Sequence, residues 1–139
     1  MRLTDLEPQF LRYEERVETW EVVDGDEATW RERGCPTKPV TGPRTYLPYV
    51  DNLYEAQAIH FLCPVCFRKN GGAVGTHWVE VSFADRGVLD YQGSHNDEGK
   101  PSRWTVSGTS YHDLTTTPSI FLKPPGCGWH GYITNGEVT

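Results

Sequence analysis

The chain lacks the long apolar segments that would cross a bilayer, and its first residues lack the apolar core of a secretion signal. We therefore expect a cytoplasmic protein with no membrane partner. Basic residues are also scarce, because 13 Lys and Arg face 19 Asp and Glu and give a formal net charge of −6. No stripe of Lys and Arg could neutralise a phosphate backbone, so we expect no nucleic-acid partner.

Cysteine is scarce too, with four in 139 residues, but three of the four occur in two spaced motifs. These motifs are Cys63-Pro-Val-Cys66 and Cys127-Gly-Trp-His130. Each holds two metal-ligand residues separated by two others, a spacing that lets one tight turn direct both side chains at one ion. In a reducing compartment such cysteines are more typical of metal sites than of disulfides. The pattern predicts zinc bound by Cys63, Cys66, Cys127 and His130.

Other interpretations of these residues stay open at this stage. Cys63-Pro-Val-Cys66 also matches a thiol redox motif, although residues 67–72 predict that a helix following it would end within a turn. Buried cysteines without a metal are a second alternative. Cys35 could replace one ligand. His60 could reach the same ion or donate a hydrogen bond to one of its ligands.

The predicted donor set bears on catalysis. Three thiolates and one imidazole complete a tetrahedral shell and leave no position for water, which is typical of structural zinc. Ser110-Tyr111-His112-Asp113 contains the residue types of a hydrolytic triad, but a triad is recognised by spatial geometry and not by adjacency. His77 and Glu80 are interpreted as surface residues of a strand. The sequence alone predicts no catalytic residue.

Frequent Gly and Pro and short alternating segments predict a mainly β fold, a small antiparallel sheet or sandwich-like domain with little helix. Alternation over 77–83 and 103–107 indicates half-buried strands, and Asn135-Gly136 is typical of a two-residue hairpin turn. We expect a single zinc-stapled domain over residues 1–139. Residues 14–45 are acidic and then Pro-rich, and residues 33–49 within and beyond this segment are expected to be an extended loop.

Several of these elements together resemble a known family. Leu6-Glu7-Pro8-Gln9-Phe10, the segment 53–63, Pro118-Ser119-Ile120 and the closing segment 126–136 are similar to small metal-binding proteins of unknown function encoded by phages and bacteria. Family members carry a His followed by a dense Cys cluster and a closing Cys-x-x-His before an aromatic residue. Cys127 and His130 match the closing element, whereas Cys63 and Cys66 depart from the spacing of the first. The resemblance covers most of the chain and implies that residues 14–45 are an insertion. Some relatives occur beside bacterial ubiquitin-like conjugation systems and others in prophages.

Two functions are compatible with these residues and with the resemblance. The first is a non-enzymatic, zinc-stabilised domain that binds another protein, as a phage or mobile-element accessory, an anti-defence factor or a virion component in the host cytoplasm. The second is a metal-dependent enzyme, or an accessory of one, in protein-modifier conjugation or removal, with an open metal site that includes His60 or His77. A closed ligand shell favours the first, and a water-bearing site with a nearby carboxylate favours the second.

Overall fold

The computed structural model describes the backbone of all 139 residues and all side chains except those of Thr29 and Arg33. As the sequence predicted, the fold consists mainly of antiparallel β-strands with few helices. A 3₁₀ turn at Leu3–Leu6 precedes the regular elements. In chain order these are β1 (Gln9–Leu11), β2 (Glu14–Val23), α1 (Glu27–Arg33), β3 (Thr37–Tyr46), β4 (Tyr49–Val50), β5 (Ala58–Leu62), α2 (Pro64–Asn70), β6 (Trp78–Ser82), β7 (Thr105–Ser107), β8 (Thr115–Phe121), β9 (His130–Thr134) and β10 (Glu137–Val138).

The contacts divide the chain into two compact units. One comprises Met1–Tyr13 and Leu47–Thr139, and the other comprises Glu14–Tyr46. Neither unit contains, within the described residues, a helix with the length and apolar character that a membrane crossing requires. That the whole chain behaves as one domain with an insertion stays a prediction.

The larger unit is built from two four-stranded sheets. The first has the order β4-β1-β5-β6 and the second the order β10-β9-β8-β7, with antiparallel pairing throughout both sheets. A parallel bridge between Phe83 and Trp104 joins their neighbouring edges. Trp104 N donates to Ser82 O at 2.9 Å, and Ala84 N donates to Trp104 O at 2.8 Å.

One apolar core lies behind both sheets. Alternate residues of β5 and β6 enter it, because successive side chains of a strand point to opposite faces. Val79 and Val81 are 2% and 0% exposed, as the alternation in 77–83 predicted. The other large members of the core are Leu3, Leu6, Phe10, Ile59, Phe61, Phe83, Leu114, Ile120, Trp129, Ile133 and Val138.

The predicted turn at Asn135-Gly136 is confirmed. Asn135 has φ 48° and Gly136 has φ 78°, the left-handed conformations that a tight hairpin connection requires. The turn joins β9 to β10, which pair antiparallel. The turn therefore fixes the register between β10 and β9, the strand that begins at His130.

The smaller unit is a two-stranded ribbon of β2 and β3 with α1 between them, and its strands pair from Glu14↔Tyr46 to Val23↔Thr37. The prediction that 33–49 forms an extended loop is wrong, because Thr37–Tyr46 is a strand. Pro39 and Pro43 are compatible with it. They are four residues apart, so both nitrogens can face the open edge, where no ladder hydrogen bond is lost.

Candidate metal centre and serine–histidine pair

The first half of the metal centre lies where β5 ends. Cys63 follows β5 directly, is 0% exposed, and is the N-cap of α2. Phe67 N donates to Cys63 O at 2.9 Å, which closes the first turn of the helix and directs Cys66 to the same side. The helix ends at Gly71 in the left-handed conformation. The seven-residue helix thus begins within the Cys-x-x-Cys motif and ends about one turn after Cys66, as residues 67–72 indicated.

His77 lies beside Cys63 because β5 and β6 form an antiparallel pair. Leu62 is opposite Trp78, so the next residue of one strand meets the preceding residue of the other. Cys63 N donates to His77 O at 3.0 Å across this end of the ladder. His77 Nδ1 lies 3.3 Å from Trp78 O. Donation from Nδ1 to this carbonyl leaves the lone pair of Nε2 for a metal.

Cys127 completes a cluster with these three residues. The ligand atoms of Cys63, Cys66, His77 and Cys127 all lie within 4.8 Å of one another. The sulfurs of Cys63 and Cys127, 64 positions apart in sequence, are 3.6 Å apart. Zn–S bonds of ~2.3 Å at tetrahedral angles place two sulfurs about 3.8 Å apart. The cluster is therefore able to hold a metal ion, and its dimensions fit a tetrahedral one.

The two closest thiols have opposite pKa shifts. Burial raises the pKa of the Cys63 thiol to about 12. Burial also opposes ionisation of Cys127, but hydrogen bonds from the Trp129 backbone and from the other three cluster side chains outweigh it and lower the pKa of this thiol to about 7. Of the two thiols, Cys127 is therefore the one that ionises more readily. A bound cation supplies the positive charge that would also ionise Cys63.

The structure does not bring His130 to this cluster. His130 is the first residue of β9, and its Nε2 lies 2.9 Å from Ser119 Oγ on β8. Phe121 pairs with His130 in the ladder, and Ser119 is two residues before Phe121, so the three side chains share one face of the second sheet. The fourth position that the sequence assigned to His130 is occupied by His77.

Ser119 and His130 form a candidate catalytic pair. The His130 ring packs against Phe121 with ring centroids 5.0 Å apart. Among the described side chains, no carboxylate contacts this imidazole. The arrangement is therefore a dyad, with a hydroxyl and a ring nitrogen at the distance that proton transfer requires.

A surface groove lies at Ser119, and His130 is not among the residues that line it. Ser119 is half-buried and lines a groove of about 620 Å³. Trp104, Phe121 and an ion pair between Lys123 and Asp97, with Nζ and Oδ2 2.9 Å apart, lie along its walls. Trp104 Nε1 donates to Ser119 O at 3.2 Å and so holds the backbone at the serine. The pairing of β8 with β9 is irregular between Thr116 and Ile120, and such irregularities redirect side chains next to active sites.

The remaining sequence candidates lie elsewhere. His60 is in β5, stacked on Trp78 with ring centroids 4.3 Å apart, and its buried Nε2 has no hydrogen-bond partner among the described side chains. Cys35 is exposed in the smaller unit. Asp113 accepts bonds from the backbone of Thr109 and Ser110 in a turn, so the segment 110–113 is not a triad.

The second sheet lies in a segment that is similar to a known protein family. Residues 85–139, less than half of the chain, match the family model of BubE, described as a bacterial ubiquitination-like system serine protease. The matched segment contains Ser119, Cys127 and His130. No curated protein and no solved structure matches the chain. The match and the cluster of three cysteines and one histidine fit a small metal-binding family of the kind that the sequence resembles.

The sequence-based predictions named His77 only as a member of an open metal site in the enzymatic alternative, and they did not include Ser119 as a partner of His130. A signal for His77 was present, because a hairpin pairing 58–62 with 78–82 places residues 63 and 77 opposite each other. No comparable signal existed for Ser119. Its contact with His130 depends on a register that changes within β8, which local composition does not encode.

Proposed function

We propose that this protein is a serine hydrolase of a bacterial ubiquitination-like system, which cleaves a modifier protein from its conjugates. The single observation that carries the proposal is the 2.9 Å contact between Ser119 Oγ and His130 Nε2. Both residues lie in the segment that matches a family described as a serine protease. The family match favours the enzymatic alternative over the non-enzymatic binding domain that the sequence alone favoured. The non-enzymatic binding domain stays a prediction.

The chemistry follows from the two side chains. Ser119 Oγ attacks the carbonyl carbon of the bond between modifier and target while its proton passes to His130 Nε2. The tetrahedral intermediate collapses, the carbonyl carbon's bond to the leaving amine breaks, and His130 returns the proton to that amine. Water then attacks the acyl ester, gives one proton to His130, and releases the modifier carboxylate. The proton on His130 restores the Ser119 hydroxyl, so one water is consumed per cleavage.

The groove suits a protein substrate. It is an open surface feature in which Ser119 is reached from outside, and its walls combine aromatic rings with charged groups. A polypeptide can lie across such a surface with its carbonyl at Ser119. The partner that we propose is therefore another protein, in agreement with the sequence-based expectation.

We infer that the metal of the Cys63, Cys66, His77 and Cys127 cluster is zinc and that its role is structural. Three sulfurs and one imidazole nitrogen are the donors that zinc prefers, and four protein ligands close its shell. When bound, the ion supplies a cross-link between the loop of Cys127 and the segment around α2. The hydrolytic chemistry is assigned to Ser119 and His130 alone.

The proposal is tested by covalent labelling of the full chain with a fluorophosphonate probe, detected by intact mass and peptide mapping. We expect one adduct on Ser119, none with Ser119→Ala, and a labelling rate about 100-fold or more lower with His130→Ala, the range of a lost general base. Ser110→Ala is the matched control and should label normally. Labelling that persists in Ser119→Ala, or no labelling of the metal-loaded wild type, would refute the hydrolase.

Substrate class is tested with a bacterial ubiquitin-like protein fused through its C-terminus to a reporter protein. We expect cleavage after the final residue of the modifier by the wild type and none by Ser119→Ala. Binding of the fusion without cleavage, in a chain that also fails to label, would instead support the non-enzymatic binding domain.

A further inference from the structure

The metal centre and the serine–histidine pair are connected by one short loop. Ser119 lies near the end of β8 and His130 begins β9, and Leu122–Trp129 connects the two strands. Cys127 belongs to this loop and to the metal cluster. The loop therefore begins three residues after the proposed nucleophile, ends directly before the proposed base, and carries Cys127 two residues before its end.

The loop has little apolar anchoring of its own. Residues 123–128 are all exposed, whereas Trp129 is 5% exposed and contacts Phe61. Three backbone bonds hold the loop closed, from Leu122 N to Trp129 O, Gly128 N to Leu122 O and Gly126 N to Lys123 O. All three bonds join residues of the loop to one another. Of the described side chains in 123–128, that of Cys127 contacts Cys63, which directly follows β5 of the first sheet.

The serine has a separate support. Trp104 Nε1 donates a hydrogen bond to Ser119 O, whereas the pairing of β8 with β9 near Ser119 is irregular. Beyond the pairing of Phe121 with His130, the 2.9 Å contact between Ser119 and His130 thus has one support on each side. One is made by Trp104 on the serine side and the other by the loop on the histidine side.

We propose that Cys127, held in the metal centre, is a positioning residue that sets His130 against Ser119. This inference rests on the proposed function, because the positioned pair is the proposed nucleophile and base. Cys127 does not touch the substrate. It fixes the direction in which the chain enters β9, three residues before the imidazole. A displacement of about 1 Å in such a pair costs about 100-fold in rate, since proton transfer needs hydrogen-bond geometry.

A glycine inserted after Gly128 tests the positioning without removing a ligand or a catalytic residue. The insertion lengthens only the connection between Cys127 and His130. We expect one bound zinc per chain and a melting temperature close to wild type, together with a labelling rate about 100-fold lower. A glycine inserted after Gly25, in the turn between β2 and α1, is the control and should change neither quantity.

A second readout reports the pair independently of hydrolysis. The ring-nitrogen chemical shifts of His130 are measured by NMR in the zinc-loaded wild type, the chelated wild type, the insertion variant and Ser119→Ala, which serves as the reference for a broken contact. We expect the chelated and insertion samples to resemble Ser119→Ala. His130 shifts that stay at wild-type values in the zinc-loaded insertion variant would overturn the positioning role, whatever chelation does to the fold of the wild type.

The two proposals fail in different ways. If the wild type never labels but its His130 shifts differ from Ser119→Ala and follow the metal, the hydrolase fails and the positioning stands. If Ser119 labels equally fast in the insertion variant and the wild type, the positioning fails and the hydrolase stands. Trp104→Phe adds an internal check, because it should slow labelling while leaving metal content unchanged.

Discussion

The metal cluster and the serine–histidine pair each take one residue from the same tetrapeptide, Cys127-Gly-Trp-His130. Cys127 lies in a loop outside the ladder, and its side chain joins Cys63, Cys66 and His77. His130 begins β9, where the pleat directs its side chain to the face that carries Ser119. The two side chains of this Cys-x-x-His motif lie in different places because a strand begins between them.

The two regions also differ in what holds them. The cluster brings together the ends of distant elements and depends on an ion for its cohesion. The pair lies on adjacent strands of one sheet and depends on register. The experiments that separate the two regions follow from this contrast, with the largest expected effect first.

Loss of a buried thiol should damage the cluster most. Cys63→Ser removes a ligand that is 0% exposed, and we expect loss of tight zinc binding and a collapse of thermal stability, since metal binding contributes about 10 kcal/mol or more in small zinc folds. Elemental analysis and melting curves with and without chelator measure both. Cys35→Ser is the control, because Cys35 is exposed and outside the cluster. Equal zinc content in Cys63→Ser and wild type would contradict the assigned centre.

Replacing each of the two histidines by alanine in turn should separate the regions directly. We expect His77→Ala to weaken zinc binding more than about 100-fold, since even residues that only support a ligand cost about 10–100-fold. His130→Ala should bind zinc normally and lose fluorophosphonate labelling. Competition with a chromophoric chelator measures the affinities. Should His130→Ala lose its metal while His77→Ala keeps it, the original assignment from spacing would be right and the observed cluster wrong.

Removal of the ribbon should have the smallest effect on either region. Both the cluster and the pair lie in the unit formed by Met1–Tyr13 and Leu47–Thr139. A chain in which Glu14–Tyr46 is replaced by a short Gly-Ser linker should retain one zinc and label at Ser119 within a few-fold of wild type. This variant also tests the prediction that the segment is an insertion. An unfolded product with no metal would show that the ribbon belongs to the folding unit.

Much of the fold could be predicted from local patterns. Alternation in 77–83 and the Asn135-Gly136 turn specify strands and a hairpin through steric preferences of neighbouring residues. The strand at Thr37–Tyr46 could not be recognised, because its prolines are typical of loops and are tolerated only at an open edge. Whether a strand lies at the edge or in the centre of a sheet depends on its neighbours and cannot be recognised from one segment alone.

The candidate site divides in the same way. Cys63, Cys66 and Cys127 were recognisable as ligands from residue type and spacing, and the structure brings their sulfurs together. Which histidine joins them depends on pairing between distant strands. Leu62 meets Trp78, and this contact delivers His77, while the pairing of Phe121 with His130 places the other imidazole beside Ser119.

By itself, the sequence determined a mainly β protein with enough soft donors to hold a metal ion, since both properties follow from residue types and short spacings. Only the tertiary structure decided which imidazole lies with the three cysteines and which lies against a serine. The physical reason is that side-chain direction in a sheet is set by register, and register is a cooperative property of strands that are far apart in the chain.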